Sequence, residues 1–465
     1  MREIDRTESI TVAGAGLVGS LVSLFLARRG FQVEVFERRP DMRRETVEAG
    51  RSINLAISTR GLHALRQVGL EQEALRHAIP MRGRMIHPKA GELALQPYGK
   101  DDSQHINSIS RAWLNKYLMT HAEGTGRVNI RFRQRLQQVD FDTGTLSLLD
   151  EPSGATREHR APVFFGTDGS GSAVRQELSR RPGYASTQEL LSHGYKELTI
   201  PAGPGGAFRM EKNALHIWPR GTFMLIALPN EDSSFTCTLF LPYKGPVSFE
   251  SLDSPGKLTA FFEEQFPDAL ALIPELTHDF FHNPTGAMVT VKSAPWHLGE
   301  RALLLGDAAH AIVPFFGQGM NCGFEDCVVL DSLLERHTRW EEVFNEFFRL
   351  RKPNADAIAD MAVENFIEMR DSTANPRFLL EKQVEKVLLN AFPGQFISRY
   401  SLVSFSRVPY RLAYEVGTLA SGIVSELSEG LGRAEDVDLE RAAQLIRERL
   451  TPFVEKHSEG FRLAG

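Results

Sequence analysis

Cysteine is scarce. The 465 residues hold three, Cys237, Cys322 and Cys327, with no Cys-x-x-Cys pair. So few cysteines in so long a chain exclude a disulfide framework and suit a reducing compartment. Long apolar runs are missing too. The richest, 223–228, has the length of a strand, and crossing a bilayer takes roughly 18 to 20 apolar residues. The first residues carry Arg2, Glu3, Asp5, Arg6 and Glu8 instead of an apolar leader. Positive charge is not in excess: 53 Lys and Arg stand against 59 Asp and Glu, for a net charge of -6. That balance argues against general affinity for nucleic acid, because phosphates need a positive surface. Arg38-Arg39 and Arg43-Arg44 are too short to be more than local surface. Metal-ligand spacings such as HExxH or a CxxC cluster are lacking. His63, His87, His105, His216 and His310 are scattered, so no metal is expected. There is no internal repeat and no low-complexity tract. The expectation is a cytoplasmic protein, monomer or homodimer, without a membrane anchor or a nucleic-acid partner.

What is present is ordinary for a globular chain, with 42% hydrophobic and 24% charged residues. The length predicts two or three packed subdomains. Residues 9–13 read as a strand, 17–29 as a helix, and 31–37 as a second strand in which Val33 and Val35 alternate with Gln32 and Glu34. This is a β-α-β unit. Ser58 is placed to cap a helix over 59–68, and Ser110 one over 111–123. Alternating strands follow over 128–149, with a turn at Thr143-Gly144. Between about 190 and 290 the pattern changes. Runs at 195–200, 214–218, 223–227 and 235–241 read as strands of a separate sheet layer. A short buried strand returns at 303–306, and after Cys322 the chain reads as helical.

Three motifs carry chemistry. Gly14-x-Gly16-x-x-Gly19 follows a strand and opens a helix, with Glu37 at the end of the next strand. The glycines permit a tight turn, close approach of a pyrophosphate and close helix–strand packing. The helix N-terminus offers free N–H groups, and Glu37 can accept from ribose hydroxyls. The second motif is Arg301-Ala-Leu-Leu-Leu-Gly-Asp307-Ala-Ala-His310, continuing to Pro314 and Gly317-Gln-Gly319-Met-Asn321. Asp307 suits the ribityl chain of a flavin, and the loop and helix that follow supply N–H donors to the flavin pyrimidine. The third is Thr167-Asp168-Gly169-Ser170-Gly171-Ser172, ahead of Val174 and Arg175. Alone, its Asp-Gly is only a turn signal.

Together these motifs resemble the single-component FAD-dependent aromatic hydroxylases, built like p-hydroxybenzoate hydroxylase. The resemblance implies an α/β fold: a Rossmann-like FAD-binding domain with an inserted β-sheet substrate layer and a C-terminal helical region. The domain boundaries expected are 1–190 with 291–370 for FAD, 191–290 for the substrate sheet, and 371–465 for the C-terminal helices. It also implies non-covalent FAD, with NADPH as a transient co-substrate, since there is no second GxGxxG. FAD contacts are expected at Gly14, Gly16, Leu17, Gly19, Glu37, Arg38, Ala56, Arg111, Leu136, Asp168, Asp307, Gly319, Met320 and Asn321.

Within that family, ten runs resemble the kynurenine 3-monooxygenases, from about residue 9 to 410. They are Arg51-Ser-Ile-Asn-Leu-Ala56, Met81-Arg-Gly-Arg84-Met85, Gln96-Pro-Tyr98-Gly99, Ser108-Ile-Ser-Arg111, His193-Gly-Tyr-Lys-Glu197, Asn213-Ala-Leu-His-Ile-Trp218-Pro219, Pro314-Phe315 through Asn321, Arg351-Lys-Pro353, Glu364-Asn365-Phe-Ile-Glu-Met369 and Arg399-Tyr400-Ser401. The substrate implied is L-kynurenine, with O2 as oxidant. Its carboxylate matches a guanidinium, which can give two parallel hydrogen bonds, with a tyrosine hydroxyl adding a third. The resemblance assigns this role to Arg84 and Tyr98, with Tyr400 closing the pocket. Asn365 has an argument of its own: on a helix over 354–370 it shares a face with Ile358, Met361, Ala362 and Met369, and a buried amide needs a partner. Leu215, Met224, Ile226, Phe240, Phe315 and Met369 match positions around the substrate ring. Phe315 and Gln318 are expected near the reacting ring, and no proton-transfer base stands out. Phe316 departs from the family, which often has His there. Residues 411–465 are charged and helical in pattern, as in the soluble bacterial forms, and are expected to pack as a cap near the active site. The competing readings are a hydroxylase of another aromatic substrate and an FAD-binding redox protein without oxygenase activity. A flavin halogenase lacks its Trp-x-Trp motif here.

Overall fold

The computed structural model describes residues 3–45, 54–99, 102–371 and 375–462, except the side chains of 369–371. The chain divides into two compact units. The first comprises residues 1–78, 107–191 and 286–359, and the second 79–106, 192–285 and 360–465.

The first unit is built on a six-stranded sheet. In spatial order its strands are His297–Leu298, Ala302–Leu304, Phe164–Gly166, Ser9–Ala13, Gln32–Glu37 and Val128–Phe132. All pairs are parallel except the first. Parallel strands are covered on both faces and so read as near-continuous apolar runs. Ile10, Val12, Val33, Val35, Phe165 and Leu303 are all within 1% of full burial. The helices Leu17–Arg28 and Gly319–Arg336 add Leu21, Leu26, Phe324 and Leu330 to the same core. A three-stranded antiparallel sheet joins Gln134–Asp140, Thr145–Asp150 and Thr156–Arg160, with Gly144 at φ +72° in the expected turn.

The second unit holds an antiparallel sheet whose register decides its chemistry. Residues 192–200, Phe235–Pro242, Met224–Pro229 and Ala214–Pro219 lie side by side, followed by Gly83–Ile86, parallel to its neighbour, and Ala94–Pro97. Side chains alternate between faces. One face presents Leu198, Ile200, Trp218, Leu225, Ala227, Cys237, Leu239 and Leu241, all buried in one apolar cluster. Within 191–290, read as a sheet layer, the stretch 255–282 forms the helices Pro255–Gln265, Pro267–Leu270 and Leu276–His282. Their Leu258, Phe262, Phe266 and Phe280 complete that cluster. A sheet face this apolar must be covered, and these amphipathic segments cover it.

The rest of the second unit is helical. Pro376–Ala391, Tyr410–Leu427 and Leu439–Leu445 bury Val384, Leu388, Ile423, Val424 and Leu445 in a separate core. The helix Trp340–Asp371, whose residues up to 359 belong to the first unit, runs unbroken through Pro353, longer than the 354–370 predicted. One turn of it loses a hydrogen bond to the missing proline N–H, and Asn354 Nδ2 donates to the Leu350 carbonyl there at 2.8 Å. Among the described residues no helix is long and apolar enough to cross a membrane.

Candidate functional site

The first unit builds a cradle largely from backbone. Gly14 has φ +96°, and a Cβ there would lie 2.8 Å from the Thr167 carbonyl oxygen. A Cβ on Gly19 would lie 1.9 Å from the Gly14 carbonyl oxygen, so the helix rests directly on the loop. Gly16 differs: a Cβ there would meet nothing within 4 Å, which marks the open side of the turn. Gly16 is also the N-cap of Leu17–Arg28 and gives no side-chain cap. First-turn N–H groups therefore stay available to an anion. Thr167 Oγ staples the loop to the sheet through the Ala13 and Gly14 carbonyls, at 2.8 and 2.9 Å.

Glu37 is 4% exposed. One carboxylate oxygen accepts from the Ala15 N–H at 2.8 Å. The other accepts from Arg39 N and Nε, at 3.0 and 2.8 Å. Glu37 therefore ties down the glycine loop, and its carboxylate keeps further lone pairs. Arg38 is exposed at the same strand end. Arg111, exposed, opens the helix Arg111–Gly124, where Ser110 accepts from Trp113 N as expected of a cap. Leu136 is half-buried and pairs with Leu148. Sequence reasoning missed Asn115. Its Nδ2 donates to the Ala15 carbonyl at 3.3 Å, while its buried Oδ1 has no partner. The signal was there: a polar residue on the buried face of an otherwise apolar helix turn.

The second motif forms the other wall. Gly306 turns the chain at φ +58°, and Asp307 follows, half-buried. Among the described residues the Asp307 carboxylate makes no hydrogen bond or ion pair. A 3₁₀ turn over Pro314–Phe316 holds Phe315 half-buried and Phe316 buried, and Gly317 closes it at φ +65°. The helix Gly319–Arg336 then begins without a side-chain cap. Asn321 fastens this corner: its Oδ1 accepts from Ser58 N at 2.9 Å, and its Nδ2 donates to the Ala56 and Gly317 carbonyls, both at 2.9 Å. Gln318 Nε2 donates to Ser58 Oγ at 3.3 Å. Ser58 is thus the N-cap of Thr59–Gln67 by position but makes no side-chain cap. Met320 is buried beside this corner. Residues 51–53 of the Arg51 run lie outside the described residues.

Asp168 is committed locally. It accepts from Ser172 Oγ at 2.5 Å and Ala173 N at 2.7 Å at the start of the helix Ala173–Leu178, which Ser172 caps. Burial pushes its pKa up, against the pull of those donors. Arg175, 2% exposed, links this turn to the second motif through the Ala308 carbonyl at 2.7 Å.

An open glycine turn, two uncapped helix starts and an unpartnered half-buried carboxylate fit an FAD. The helix starts supply N–H groups for phosphate and pyrimidine oxygens, and Asp307 supplies an acceptor for hydroxyls.

The second unit brings together Arg84, Tyr98 and Tyr400. Leu215 pairs with Arg84, and Met224 with both Pro219 and Phe240; Ile226 pairs with Ile217. Register thus puts Arg84, Leu215, Met224, Ile226 and Phe240 on one face, opposite the buried aromatic cluster. Gly83 explains how the arginine is presented, since a Cβ there would lie 2.5 Å from the Gln96 carbonyl oxygen of the adjoining strand. The Arg84 guanidinium carbon lies 5.6 Å from the Tyr98 ring centre and 5.1 Å from that of Tyr400. The two tyrosine rings stack at 5.1 Å. Tyr400 sits on the helix Arg399–Ser404, capped by Ser398. Arg399 of that helix and Tyr414 of Tyr410–Leu427 both donate to Glu364, at 2.6 and 2.7 Å.

Arg84 Nε and Tyr98 Oη are buried and make no well-formed hydrogen bond; the Tyr98 hydroxyl interacts only with its neighbours in the clamp, Arg84 and Tyr400. Burial pushes the Tyr98 hydroxyl well above its usual pKa, so it keeps its proton and can donate. Burial opposes the Arg84 charge, but the two tyrosines and Glu368 outweigh it. Two buried donors, one of them cationic, are left with only each other and a second tyrosine, and a carboxylate would supply the missing charged acceptor. Asn365 lies half-buried on the helix that buries Met361 and Ala362. The Met369 side chain lies outside the described residues. Phe315 and Gln318 belong to the first unit.

Comparison with known proteins agrees with this chemistry. A family model described as "FAD binding domain" matches residues 6–361. A kynurenine 3-monooxygenase of Myxococcus xanthus is 73% identical over 460 residues, covering 99% of each chain. One from Xanthomonas oryzae pv. oryzae is 45% identical, covering 97% of this chain and 98% of its own. Among solved structures, 2-methyl-3-hydroxypyridine-5-carboxylic acid oxygenase superposes with a TM-score of 0.64 at 20% identity, covering 81% of this chain and 96% of its own. PqsL of Pseudomonas aeruginosa, solved with 2-aminobenzoylacetate, gives 0.62 at 19%, covering 78% and 96%. At those identities the structural neighbours establish the fold alone.

Proposed function

Because the chain belongs to the kynurenine 3-monooxygenase family of FAD-binding proteins, we propose that it hydroxylates L-kynurenine at ring position 3. The reaction takes L-kynurenine, NADPH, a proton and O2 to 3-hydroxy-L-kynurenine, NADP+ and water. The observation that carries the substrate reading is the pair of buried donors without a well-formed hydrogen bond, Arg84 Nε and Tyr98 Oη, beside an apolar sheet face.

Bound FAD supplies the redox and oxygen-transfer chemistry. The chain's own residues bind, orient and exclude water. Arg84 and Tyr98 take the substrate carboxylate, Tyr400 stacks over that clamp, and Asn365 serves the amino-acid end. Leu215, Met224, Ile226 and Phe240, on the face that carries Arg84, take the ring and keep it dry. In such surroundings water is removed from the charged clamp, which strengthens each of its hydrogen bonds. For the cofactor, Gly14, Gly16, Leu17 and Gly19 take the pyrophosphate, with Glu37 and Arg38 at the adenosine end. Asp307, Gly319, Met320 and Asn321, with Ala56, shape the flavin end. Arg111, Leu136 and Asp168 border the cofactor.

The test is direct. FAD-loaded protein is mixed with NADPH and L-kynurenine in air, NADPH loss is followed, and the product is identified by mass spectrometry. Kynurenine-dependent NADPH loss with a product one oxygen heavier is expected. NADPH loss yielding only hydrogen peroxide would assign the pocket to another ring. No stimulation by kynurenine would overturn the substrate assignment.

A further inference from the structure

Behind the uncapped start of Gly319–Arg336 lies an ionic cluster to which the reading above gives no task. Asp326 is fully buried. Its Oδ2 accepts from His310 Nε2 at 2.6 Å and from the Gly306 N–H at 3.0 Å. Its Oδ1 accepts from Arg351 Nε at 2.7 Å. Arg351 also donates to Glu325 at 2.5 Å and to the Cys322 carbonyl at 3.1 Å, and Arg60 donates to the other Glu325 oxygen at 2.5 Å. His310, Arg351 and Arg60 are at most 4% exposed.

His310, Cys322 and Asp326 bring ligand-type atoms within 4.8 Å of one another, the pattern of a metal site. Here the cation is a guanidinium. Arg351 bonds Asp326 and lies 3.3 Å from Cys322 Sγ, and the second Asp326 oxygen already has two donors. Burial acts to strip His310 of its proton, but the Asp326 carboxylate more than offsets it and raises the ring above its usual pKa. Charges buried this deeply are costly unless paired and hydrogen-bonded, so each member depends on the others.

The cluster reaches the cofactor cradle through one bond. The Gly306 N–H opens the turn that presents Asp307, and Asp326 is its acceptor. The turn has no slack. A Cβ on Gly306 would lie 2.9 Å from a Val18 methyl carbon, and one on Gly323, one turn before Asp326, 2.6 Å from the same carbon. Val18 lies in the first turn of the glycine-motif helix. One corner therefore joins both flavin motifs.

We propose that Asp326, oriented by His310 and Arg351, is a positioning residue for the flavin: it holds the Gly306 turn so that the Asp307 carboxylate meets the cofactor. This rests on the FAD-binding part of the proposed function and not on kynurenine. The experiment measures FAD affinity of the apoprotein by flavin fluorescence, alongside the apoprotein's thermal unfolding. Asp326→Asn should weaken FAD by about tenfold or more, the loss of a charge-assisted hydrogen bond. His310→Phe should weaken it by about fivefold, and His310→Gln, which keeps a donor to Asp326, should recover most of that. The Phe and Gln pair decides the matter if Asp326→Asn does not fold. FAD affinity within about twofold of the parent in the folded variants, or equal loss with Phe and Gln, overturns the proposal. A parent apoprotein that takes up no FAD would sink the flavoprotein reading instead.

Discussion

The cradle proposed for the cofactor and the face proposed for the substrate are made of different material. The cradle is backbone: glycines where a Cβ would collide, uncapped helix starts, and buried polar side chains that hold the main chain in place. The face is side chain: an arginine and two tyrosines from three separate stretches of sequence, set on an apolar sheet surface. Backbone sites need particular residues at fixed spacing, because one turn must close in one way. Side-chain sites need only the right group at the right register position, which many sequences can supply. Damage should differ accordingly, with all-or-none loss in the cradle and graded loss on the face.

The largest effect expected is Gly19→Ala. Its Cβ would lie 1.9 Å from the Gly14 carbonyl oxygen. Overpacking costs about 1–3 kcal/mol and occasionally more, and a backbone clash this close falls at the upper end, so the purified protein should carry little FAD and melt early. Normal flavin content would break the comparison. Next is Arg84→Ala. Removing a buried charged donor costs about 3–4 kcal/mol, roughly a 100- to 1000-fold rise in KM for kynurenine. FAD should stay bound; loss of FAD with unchanged KM would move Arg84 out of the substrate site.

Acid should act on the sheet of the second unit. Burial lowers the His216 pKa from 6.5 to about 4, against the Glu211 carbonyl that its Nε2 engages at 2.8 Å, while nearby His87 lowers it further. The folded pKa lies below the unfolded one, so the unfolded chain takes up the proton first. Stability is therefore lost as pH falls from about 6.5 toward 4, by about 2–3 kcal/mol. A His216→Asn variant should show a flatter unfolding profile across that window, and an equally steep one would assign the acid response elsewhere. The smallest effect is Tyr98→Phe, which removes one hydroxyl and keeps the ring stack with Tyr400. A loss of about 1 kcal/mol, roughly fivefold in KM, is expected, with no change in kcat. A loss as large as that of Arg84→Ala would make the tyrosine, not the arginine, the main anchor.

Much of the cradle was legible. Gly14, Gly19 and Gly306 sit where the spacing placed them, and Ser110 caps its helix. Other elements misled. Ser58 occupies the cap position but spends its hydroxyl on Gln318 and its N–H on Asn321, because an amide from a distant helix out-competes a local cap. The helices over 255–282 hid among strand signals. Short segments rich in Phe and Leu suit either structure until the face they must cover is known. Asn115 and Asp326 gave no motif at all, since each acts on a backbone group far away in sequence.

Residue identity and spacing alone determined the dinucleotide turn, the Gly-Asp turn and the amphipathic character of the helices, because those depend on contacts within a few residues. Only the tertiary structure decided which face of the second sheet is covered and which carries Arg84. It also decided that Tyr98 and Tyr400 stack, and that a buried carboxylate holds the Gly306 turn. The physical reason is register: a one-residue slip would turn every side chain of a strand to the other face, and the strand carrying Arg84 takes its register from one more than a hundred residues away.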